Sequence, residues 1–350
     1  MRMMRGAIHL IAPAGSLGSF YAVLGIKGAA QLIALVQECV GDAYRITADQ
    51  AILDAEEDEL QAGRTDDAAR AGDITAALAD SNVRAIVAVR GGAWFTRILP
   101  RIGFSVLDRR ESPVAVFGFS ELTPLVNIVG AHRNGLAFYD MGPAFLVYGL
   151  KRHAVMVLGL SDATDPTPDE WMRANLCHHI RDYFRRVIEI IEGRGEPITL
   201  PARLVRGVLA DRFDAIFIGG NLTVLSTMIG SRYEECIDPC RKWIVLEDFN
   251  DKPERLDRFL AHLTLAEYWE RCAGVLLGDF HHGDRDLGPA VLTMLEYHLP
   301  PESRLPVLVT PEVGHTWPMT PIPLHRAASL SRGPDGEYCV CWSVPAPARL

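Results

Sequence analysis

The chain has 350 residues, enough for one large domain or two of ordinary size. Hydrophobic residues make up 49% and charged residues 23%, which is typical of a globular protein with a sizeable core. The net charge of −9 argues against a nucleic-acid partner, because binding to phosphates requires a clustered Lys and Arg surface. No run reaches the roughly 20 apolar residues that cross a bilayer, so no membrane partner is expected.

The N-terminal segment MRMMRGAIHLIAPAGS places basic residues before an apolar stretch, as a secretion signal does. His9 and Pro13 interrupt that stretch, which favours a buried strand at residues 8–12 instead. The seven cysteines are scattered along the chain. An odd number of cysteines without an export signal predicts reduced thiols and a cytoplasmic protein.

Short apolar runs alternate with helical patterns through the first half. Strands are predicted at residues 8–12, 85–89 and 114–117, and helices at residues 20–40, 68–79 and 96–102 and from Ser120 to about Val129. Continuous apolar strands separated by helices predict a parallel sheet covered on both faces. We therefore expect an N-terminal α/β domain, flavodoxin- or Rossmann-like, over residues 1–150.

A polar, proline-rich segment at residues 161–169 separates this half from the next. Helical periodicity follows over residues 170–191 and ends at residues 193–197. Further strands are predicted at residues 215–218, 243–246, 275–277 and 306–309, with a helix at residues 253–263. The pattern predicts a connection and helix over residues 151–195 and a C-terminal mixed α/β domain over residues 196–350.

Ser120 follows a strand and opens a helix in the segment VAVFGFSELTPLV. This position exposes a hydroxyl at the edge of the sheet, where helix N-terminal N–H groups can stabilise an oxyanion. The segment is similar to a nucleophile elbow, although GFSEL lacks the second glycine of G-x-S-x-G. A helix N-cap is the alternative, because serine is common there for ordinary hydrogen-bonding reasons.

Three other positions carry candidate chemistry at predicted strand ends. Gly91 and Gly92 suit an oxyanion hole or a phosphate cradle, or simply a tight turn that needs positive φ. Glu247 ends the apolar run WIVLE, where α/β folds place catalytic groups, or is a solvated strand end. His315, in the loop PEVGHTWPMTP, suits a general base or is an ordinary surface histidine.

Other clusters are better explained without a ligand. The G-S-L-G of residues 15–18 lacks the Lys-Ser/Thr ending of a nucleotide-binding loop. The histidine pair at 281–282 has no second ligand pair, and the cysteine pairs at 236–240 and 339–341 lack the usual zinc spacing. We expect no metal and no cofactor.

Seven blocks together resemble the LD-carboxypeptidase / microcin-C immunity family of serine peptidases. They are IAPAGS, RAGDITAAL with AIVAVRGG, VFGFSELT, MGP, IGGNL, VLEDFNDKPERLDRFL and GHTWPMTPIPL, in the family's order and spacing. The resemblance implies an active site between the two domains, often in a homodimer. It also implies a Ser-Glu-His triad, which carries over here as Ser120, Glu247 and His315.

The same resemblance implies the remaining site residues. The backbone N–H groups of Gly92 and Glu121 would hold the oxyanion, and Gly91 and Asn221 would contact the substrate. The chain departs from the family where Glu121 replaces a common Asp, where Ala93-Trp94-Phe95 follows the glycine pair, and where Met141 replaces a frequent His. These departures affect the expected substrate more than the expected catalysis.

Hydrolysis of the amide between an L- and a D-centre in murein tetrapeptides, during cell-wall recycling, is the activity expected from this resemblance. A microcin-immunity hydrolase of aminoacyl-nucleotide analogues is the alternative, with Trp171, Trp243 or Trp317 available to stack on a nucleobase. A ligand-binding relative without turnover is a second alternative, although all triad positions are occupied. The expected partner is thus a small peptide or peptide-nucleotide substrate.

Overall fold

The computed structural model describes residues 5–56, 66–146, 167–300 and 302–343. Strands β1 to β14 are, in chain order, Ala7–Ile11, Arg45–Ala48, Val83–Ala88, Val114–Gly118, Gly135–Tyr139, Ile198–Arg206, Arg212–Asn221, Trp243–Phe249, Gly274–His282, Arg285–Asp286, Val307–Val309, Ile322–Leu324, Ala327–Arg332 and Tyr338–Trp342. Helices α1 to α11 are Gly18–Leu24, Ala29–Val40, Gln50–Leu53, Asp67–Ala79, Phe95–Ile98, Thr123–Ala131, Thr167–Ile191, Leu222–Ser226, Pro253–Leu265, Tyr268–Arg271 and Gly288–His298. Short 3-10 helices lie at Gly41–Ala43, Leu99–Arg101, Phe104–Arg109, Ser120–Leu122 and Glu234–Ile237.

The first sheet has the strand order β12-β5-β4-β3-β1-β2. Strands β1 to β5 run parallel, which confirms the predicted parallel sheet. The central strand β4 (VAVFG) is buried along its whole length, as expected for a strand with helices on both faces. Its carboxyl end leads directly into the segment that carries Ser120.

The predicted helix over residues 20–40 is two helices in the structure. Helix α1 ends at Gly25, and α2 begins at Ala29, whose N–H donates to the Asp54 carboxylate over 2.7 Å. The intervening segment contains Gly25 and Gly28, and glycine costs about 1 kcal/mol relative to alanine inside a helix. The break turns the chain so that α1 reaches the edge of the cavity described below.

The second sheet closes on itself. Strands β7, β8, β9 and β11 are parallel neighbours, and the path returns to β7 through antiparallel strands β6, β14 and β13. The sequence predicted the four parallel strands, and the antiparallel ones were missed. Strand β6 contains Pro201, and β13 (AASLSR) is half polar and largely exposed, so neither has a strong apolar pattern.

The predicted division at residues 1–150, 151–195 and 196–350 does not separate the two sheets. Strand β12 belongs to the last third of the chain, yet it pairs antiparallel with β5 of the first sheet. Ile322 lies opposite Tyr139 in this register. Helix α7, from the predicted connection, packs against α1 and α2 of the N-terminal domain. One strand from the C-terminal part of the chain thus completes the first sheet.

Helix α6 is hydrogen-bonded to the second sheet through the buried side chain of Asn127. Its amide donates to the carbonyl oxygen of Gly219 over 2.8 Å and accepts from the Gly219 N–H over 3.1 Å. At the next residue, a Cβ on Gly220 would lie 2.8 Å from both Thr123 and Tyr139 of the first domain. The glycines of IGGNL therefore permit close approach of the two domains.

In the described part of the chain, no single helix is both long and apolar enough to cross a membrane. The helices Gly18–Leu24 and Ala29–Ala43 reach the length and apolar composition of a membrane span only when they are taken together, and they are bent by 57° relative to each other.

We predict that Asn127→Ala lowers the free energy of unfolding by about 2–4 kcal/mol, because it leaves a buried N–H and a buried carbonyl of Gly219 without their partner. Urea denaturation monitored by circular dichroism measures the change. Asn82→Ala, at an exposed position of the same domain, is the control and should stay within about 0.5 kcal/mol of wild type. Equal stability of Asn127→Ala and wild type would contradict the proposed interdomain contact.

Candidate active site

Ser120 lies in a strained turn between β4 and α6. Its φ is 59°, in the left-handed region that non-glycine residues rarely adopt. The caps of the 3-10 helix and of α6 are Phe119 and Leu122, so the N-cap interpretation of Ser120 is wrong. A serine held at positive φ between a strand and a helix has the geometry of a nucleophile elbow.

Glu247 and His315 form a buried pair contributed by the second domain. Glu247 lies at the carboxyl end of β8, and His315 lies in the loop after β11. The imidazole Nδ1 is 2.7 Å from Glu247 Oε2, and the two residues are 3% and 0% exposed. This pairing places the carboxylate on Nδ1, as in the Ser-His-Asp arrangement of serine hydrolases.

Aromatic rings fix the plane of the His315 imidazole. Phe249 stacks on it at 4.8 Å between ring centroids with an interplanar angle of 19°. Phe119, adjacent to Ser120, lies 4.6 Å away, and Phe145 meets the ring edge-on at 5.2 Å. The apolar surroundings restrict the ring to one orientation beside the nucleophile turn.

Ser120 and His315 line the same cavity, of about 470 Å³. Residues from both halves of the chain contribute to its wall, so the cavity lies between the domains. The lining residues are Ser19, Phe20, Val23, Arg90, Gly92, Ser120, Ala144, Phe145, Phe249 and His315. A strained serine and an imidazole on one cavity, with a buried carboxylate hydrogen-bonded to the imidazole, can perform nucleophilic acyl transfer.

Residues 8–140 match the LD-carboxypeptidase N-terminal domain, and residues 214–330 match the LD-carboxypeptidase C-terminal domain. These matches cover more than half of the chain. The chain belongs to the LD-carboxypeptidase family. It is a serine peptidase by membership of this family.

The individual relatives and structural neighbours include murein carboxypeptidases and the microcin immunity protein MccF. The probable murein peptide carboxypeptidase of Bacillus subtilis is 26% identical over 77% of this chain and 75% of its own length. A crystal structure of muramoyltetrapeptide carboxypeptidase from Oxalobacter formigenes matches with a TM-score of 0.64 and 20% identity, over 96% of this chain and 98% of that one. The structure of MccF in complex with glutamyl sulfamoyl guanosine matches with a TM-score of 0.68 and 13% identity, over 98% of each chain. These two structures share the fold.

The glycine pair lies beside Ser120. Gly92 lines the cavity at a φ of 137°, and a Cβ there would lie 2.5 Å from the backbone nitrogen of Gly15. A Cβ on Gly91 would lie 3.2 Å from Ser120 Cβ. The turn must therefore be glycine at Gly92, and proline could not adopt its φ. The oxyanion role of the Gly92 N–H and the substrate contact of Gly91 stay predictions.

Asn221 lies next to Glu247, at the end of β7. Its side chain is buried and caps α8 by accepting from the Val224 N–H over 3.1 Å. Its amide nitrogen donates to Glu247 Oε1 over 3.2 Å. This geometry supports a role in holding Glu247, while the substrate contact expected of Asn221 stays a prediction.

Tyr139 is the site residue that sequence reasoning missed. Its side chain is fully buried, and its hydroxyl donates to Glu247 Oε1 over 2.6 Å. The same hydroxyl oxygen accepts from the backbone N–H of Ser120 over 3.3 Å. Burial and the neighbouring Glu247 raise the pKa of Tyr139 well above its ordinary value, so the hydroxyl keeps its proton. Tyr139 therefore joins the Ser120 turn directly to the Glu247 carboxylate.

We predict that Tyr139→Phe slows covalent labelling of Ser120 by a fluorophosphonate about 10- to 100-fold. The phenyl ring keeps the packing against Phe119. The buried Glu247 carboxylate loses the hydrogen bond from the hydroxyl, and a hydrogen bond to a charged group is worth about 1.5–3 kcal/mol. The second-order labelling rate measures the effect. Tyr297→Phe, at a residue 84% exposed, is the matched control and should label at the wild-type rate. An unchanged rate for Tyr139→Phe would show that the hydroxyl does not support the triad.

Glu121 anchors the segment that follows the glycine pair. Its Oε1 accepts from the Phe95 N–H over 3.0 Å and from the Thr96 N–H over 3.4 Å. Burial raises the pKa of Glu121 to about 7, against the opposing effect of these N–H groups. The carboxyl that replaces the family's usual Asp therefore connects the nucleophile turn to α5.

The ionisation of Glu121 predicts a pH-dependent stability difference between wild type and Glu121→Gln. Between pH 4.5 and about 7, the folded chain holds a proton on Glu121 that the unfolded chain has lost, so its contribution to stability falls as pH rises. Glutamine does not ionise. The stability of Glu121→Gln relative to wild type should rise by about 1–3 kcal/mol from pH 5 to pH 8.

Urea denaturation at both pH values measures this difference. Glu111→Gln, at an exposed position of the same domain, is the control and should show no such trend. A constant difference between Glu121→Gln and wild type across the pH range would contradict the raised pKa.

The described residues contain no group of three or more His, Cys, Asp and Glu side chains suited to a metal ion. The cysteines at 236–240 and 339–341 are free, as are Cys39, Cys177 and Cys272. The adjacent histidines have separate neighbours: His281 lies close to Asp279, and His282 Nδ1 is 3.1 Å from the Asn250 carbonyl oxygen.

Proposed function

We propose that the chain is an LD-carboxypeptidase that hydrolyses the amide between an L- and a D-centre in a murein tetrapeptide. The observation that carries this proposal is that His315, paired with the buried Glu247, lines one cavity together with the strained Ser120. Family membership supplies the reaction class. The murein substrate is supported by the names of relatives, among them the Bacillus subtilis and Oxalobacter formigenes proteins.

The proposed reaction follows the serine-peptidase sequence. Ser120 Oγ attacks the amide carbonyl carbon while His315 Nε2 accepts the hydroxyl proton, and Glu247 stabilises the resulting imidazolium. The backbone N–H groups of Gly92 and Glu121 stabilise the oxyanion. The C–N bond then breaks, and the imidazolium returns its proton to the leaving amine. Water, deprotonated by His315, releases the acyl group from Ser120.

The Ser120 N–H is already committed to Tyr139, so the next N–H along the chain is the better oxyanion donor. This supports the assignment of Glu121, which belongs to the first turn after the nucleophile. In proteins with a nucleophile elbow, the residue after the nucleophile supplies this donor.

Hydrolysis of an aminoacyl-nucleotide analogue is the second candidate, because MccF is described in complex with glutamyl sulfamoyl guanosine. Trp243 is 2% exposed and packs between Phe213 and Phe217, so it has no face for a nucleobase. Trp317 is partly exposed and lies 4.7 Å from His179. The side chain of Trp171 lies outside the described residues. Trp317 is thus the candidate that a nucleotide substrate would require.

The proposal places the enzyme in the cytoplasm, acting on recycled wall fragments, and as a homodimer. The seven free cysteines support a reducing compartment. The homodimer is implied by the family resemblance.

We expect purified wild-type protein to release a D-amino acid from murein tetrapeptide and to be labelled at Ser120 by a fluorophosphonate. Ser120→Ala should lose labelling and lower kcat by at least about 10⁴-fold, because the remaining groups cannot form the acyl-enzyme. Ser105→Ala, at an exposed position of the same domain, is the matched control. Chromatographic detection of the released amino acid measures the activity.

The same assay with an aminoacyl sulfamoyl nucleoside separates the two candidates. Cleavage of the tetrapeptide alone supports the murein activity, and cleavage of the nucleoside alone supports the second candidate. Labelling no stronger than that of Ser120→Ala, with neither substrate cleaved, would favour a ligand-binding protein without turnover.

A further inference from the structure

Arg90 brings a permanent positive charge to the wall of the catalytic cavity. Among the described residues that line this cavity, it is the only Lys or Arg, and none is an Asp or Glu. The other lining side chains are apolar or neutral apart from the triad imidazole. A cation in such a wall favours an anionic group on the bound molecule.

Gly15 and Ser16, in the N-terminal block IAPAGS, lie against this guanidinium. Arg90 Nη1 donates to the carbonyl oxygen of Ser16. A Cβ on Gly15 would lie 3.0 Å from Arg90 Nε and 3.2 Å from its Cζ, so a side chain at this position would crowd the guanidinium. The Gly15 N–H also donates to the Gly91 carbonyl oxygen over 3.0 Å, which connects this segment to the glycine turn beside Ser120. The G-S-L-G segment thus supports an arginine and is not a phosphate loop.

The Arg90 guanidinium has more hydrogen-bond donors than its contact with Ser16 uses. It carries five N–H groups in a planar fork, and the hydrogen bond to Ser16 uses one of them. In the described parts of the chain, no carboxylate forms an ion pair with Arg90. The planar fork matches a carboxylate, which it can bind through two parallel hydrogen bonds.

We propose that Arg90 binds the free α-carboxylate of the residue that the enzyme removes. This inference rests on the proposed carboxypeptidase function. In the substrate of a carboxypeptidase, the nitrogen of the scissile amide and the terminal carboxylate share one Cα. The carboxylate must therefore lie in the cavity that holds the attacking Ser120, which is where Arg90 lies.

Recognition of the carboxylate makes the enzyme specific for the chain end. A substrate with a C-terminal carboxamide would place a neutral group beside Arg90. The positive charge of Arg90 would then have no anionic partner among the residues that line the cavity. The loss falls on binding and orientation of the leaving residue, while the chemistry at Ser120 is unaltered. The predicted signature is thus a preference for the acid over the amide that depends on Arg90.

The test compares murein tetrapeptide with its C-terminal carboxamide as substrates for wild type, Arg90→Met and Arg90→Lys. We expect wild type to prefer the acid by about 10²-fold in kcat/KM. Arg90→Met should lose about 10²-fold on the acid and change less than about threefold on the amide, so that the preference disappears. Arg90→Lys should retain part of it, because a lysine keeps the charge but not the planar fork.

Arg101→Met is the matched control, since Arg101 is exposed and does not line the cavity. It should keep the wild-type preference for the acid. Fluorophosphonate labelling of Ser120 reports whether Arg90→Met still has a competent Ser-His pair, independently of any carboxylate.

The outcomes distinguish this inference from the proposed function. Equal kcat/KM of wild type for acid and amide would overturn the role of Arg90 without recourse to any variant. Retention of the acid preference by Arg90→Met would overturn it also. If wild type is labelled but cleaves neither tetrapeptide form, the proposed function itself fails, and the assignment of Arg90 fails with it.

Discussion

The buried carboxylate of Glu247 is the group around which the active site is organised. It has no exposed surface, and an ionised carboxylate removed from water is stable only when its oxygens are hydrogen-bonded. Its partners are the His315 imidazole, the Tyr139 hydroxyl and the Asn221 amide. Each comes from a different element, so satisfying one buried charge brings these elements into register.

This requirement explains why residues distant in sequence behave as one unit. Tyr139 connects the carboxylate to the Ser120 N–H, and a parallel route runs from the Asn221 N–H to Thr123 Oγ1 and on to the Ser120 carbonyl oxygen. Both backbone polar groups of Ser120 are therefore hydrogen-bonded to residues at the domain interface. These contacts stabilise the strained backbone conformation of Ser120, whose φ is 59°.

The sequence identifies those parts of the site that end strongly apolar strands. Ser120 and Glu247 follow continuous buried runs, and at such positions local pattern predicts both the strand and the residue exposed at its end. Tyr139 could not be found in this way, because the partner of its hydroxyl lies in the other half of the chain. The contact of Asn221 with Glu247 could not be predicted, because it depends on the pairing of β7 with β8, which periodicity does not specify. The antiparallel strands of the closed sheet were missed for the related reason that each is only half buried.

The return of β12 to the first sheet has a consequence for how the enzyme is made. Until residues 322–324 leave the ribosome, the outer edge of β5 has no neighbouring strand on that side. Glu247 is also synthesised well after Ser120, and His315 emerges just ahead of β12. A nascent chain thus contains Ser120 long before it contains the Glu247–His315 pair that we propose activates it. Because residues 315–324 complete both the edge of the sheet and the Glu247–His315 pair, a peptidase built in this way gains the proposed hydrolytic competence only after this segment has been synthesised.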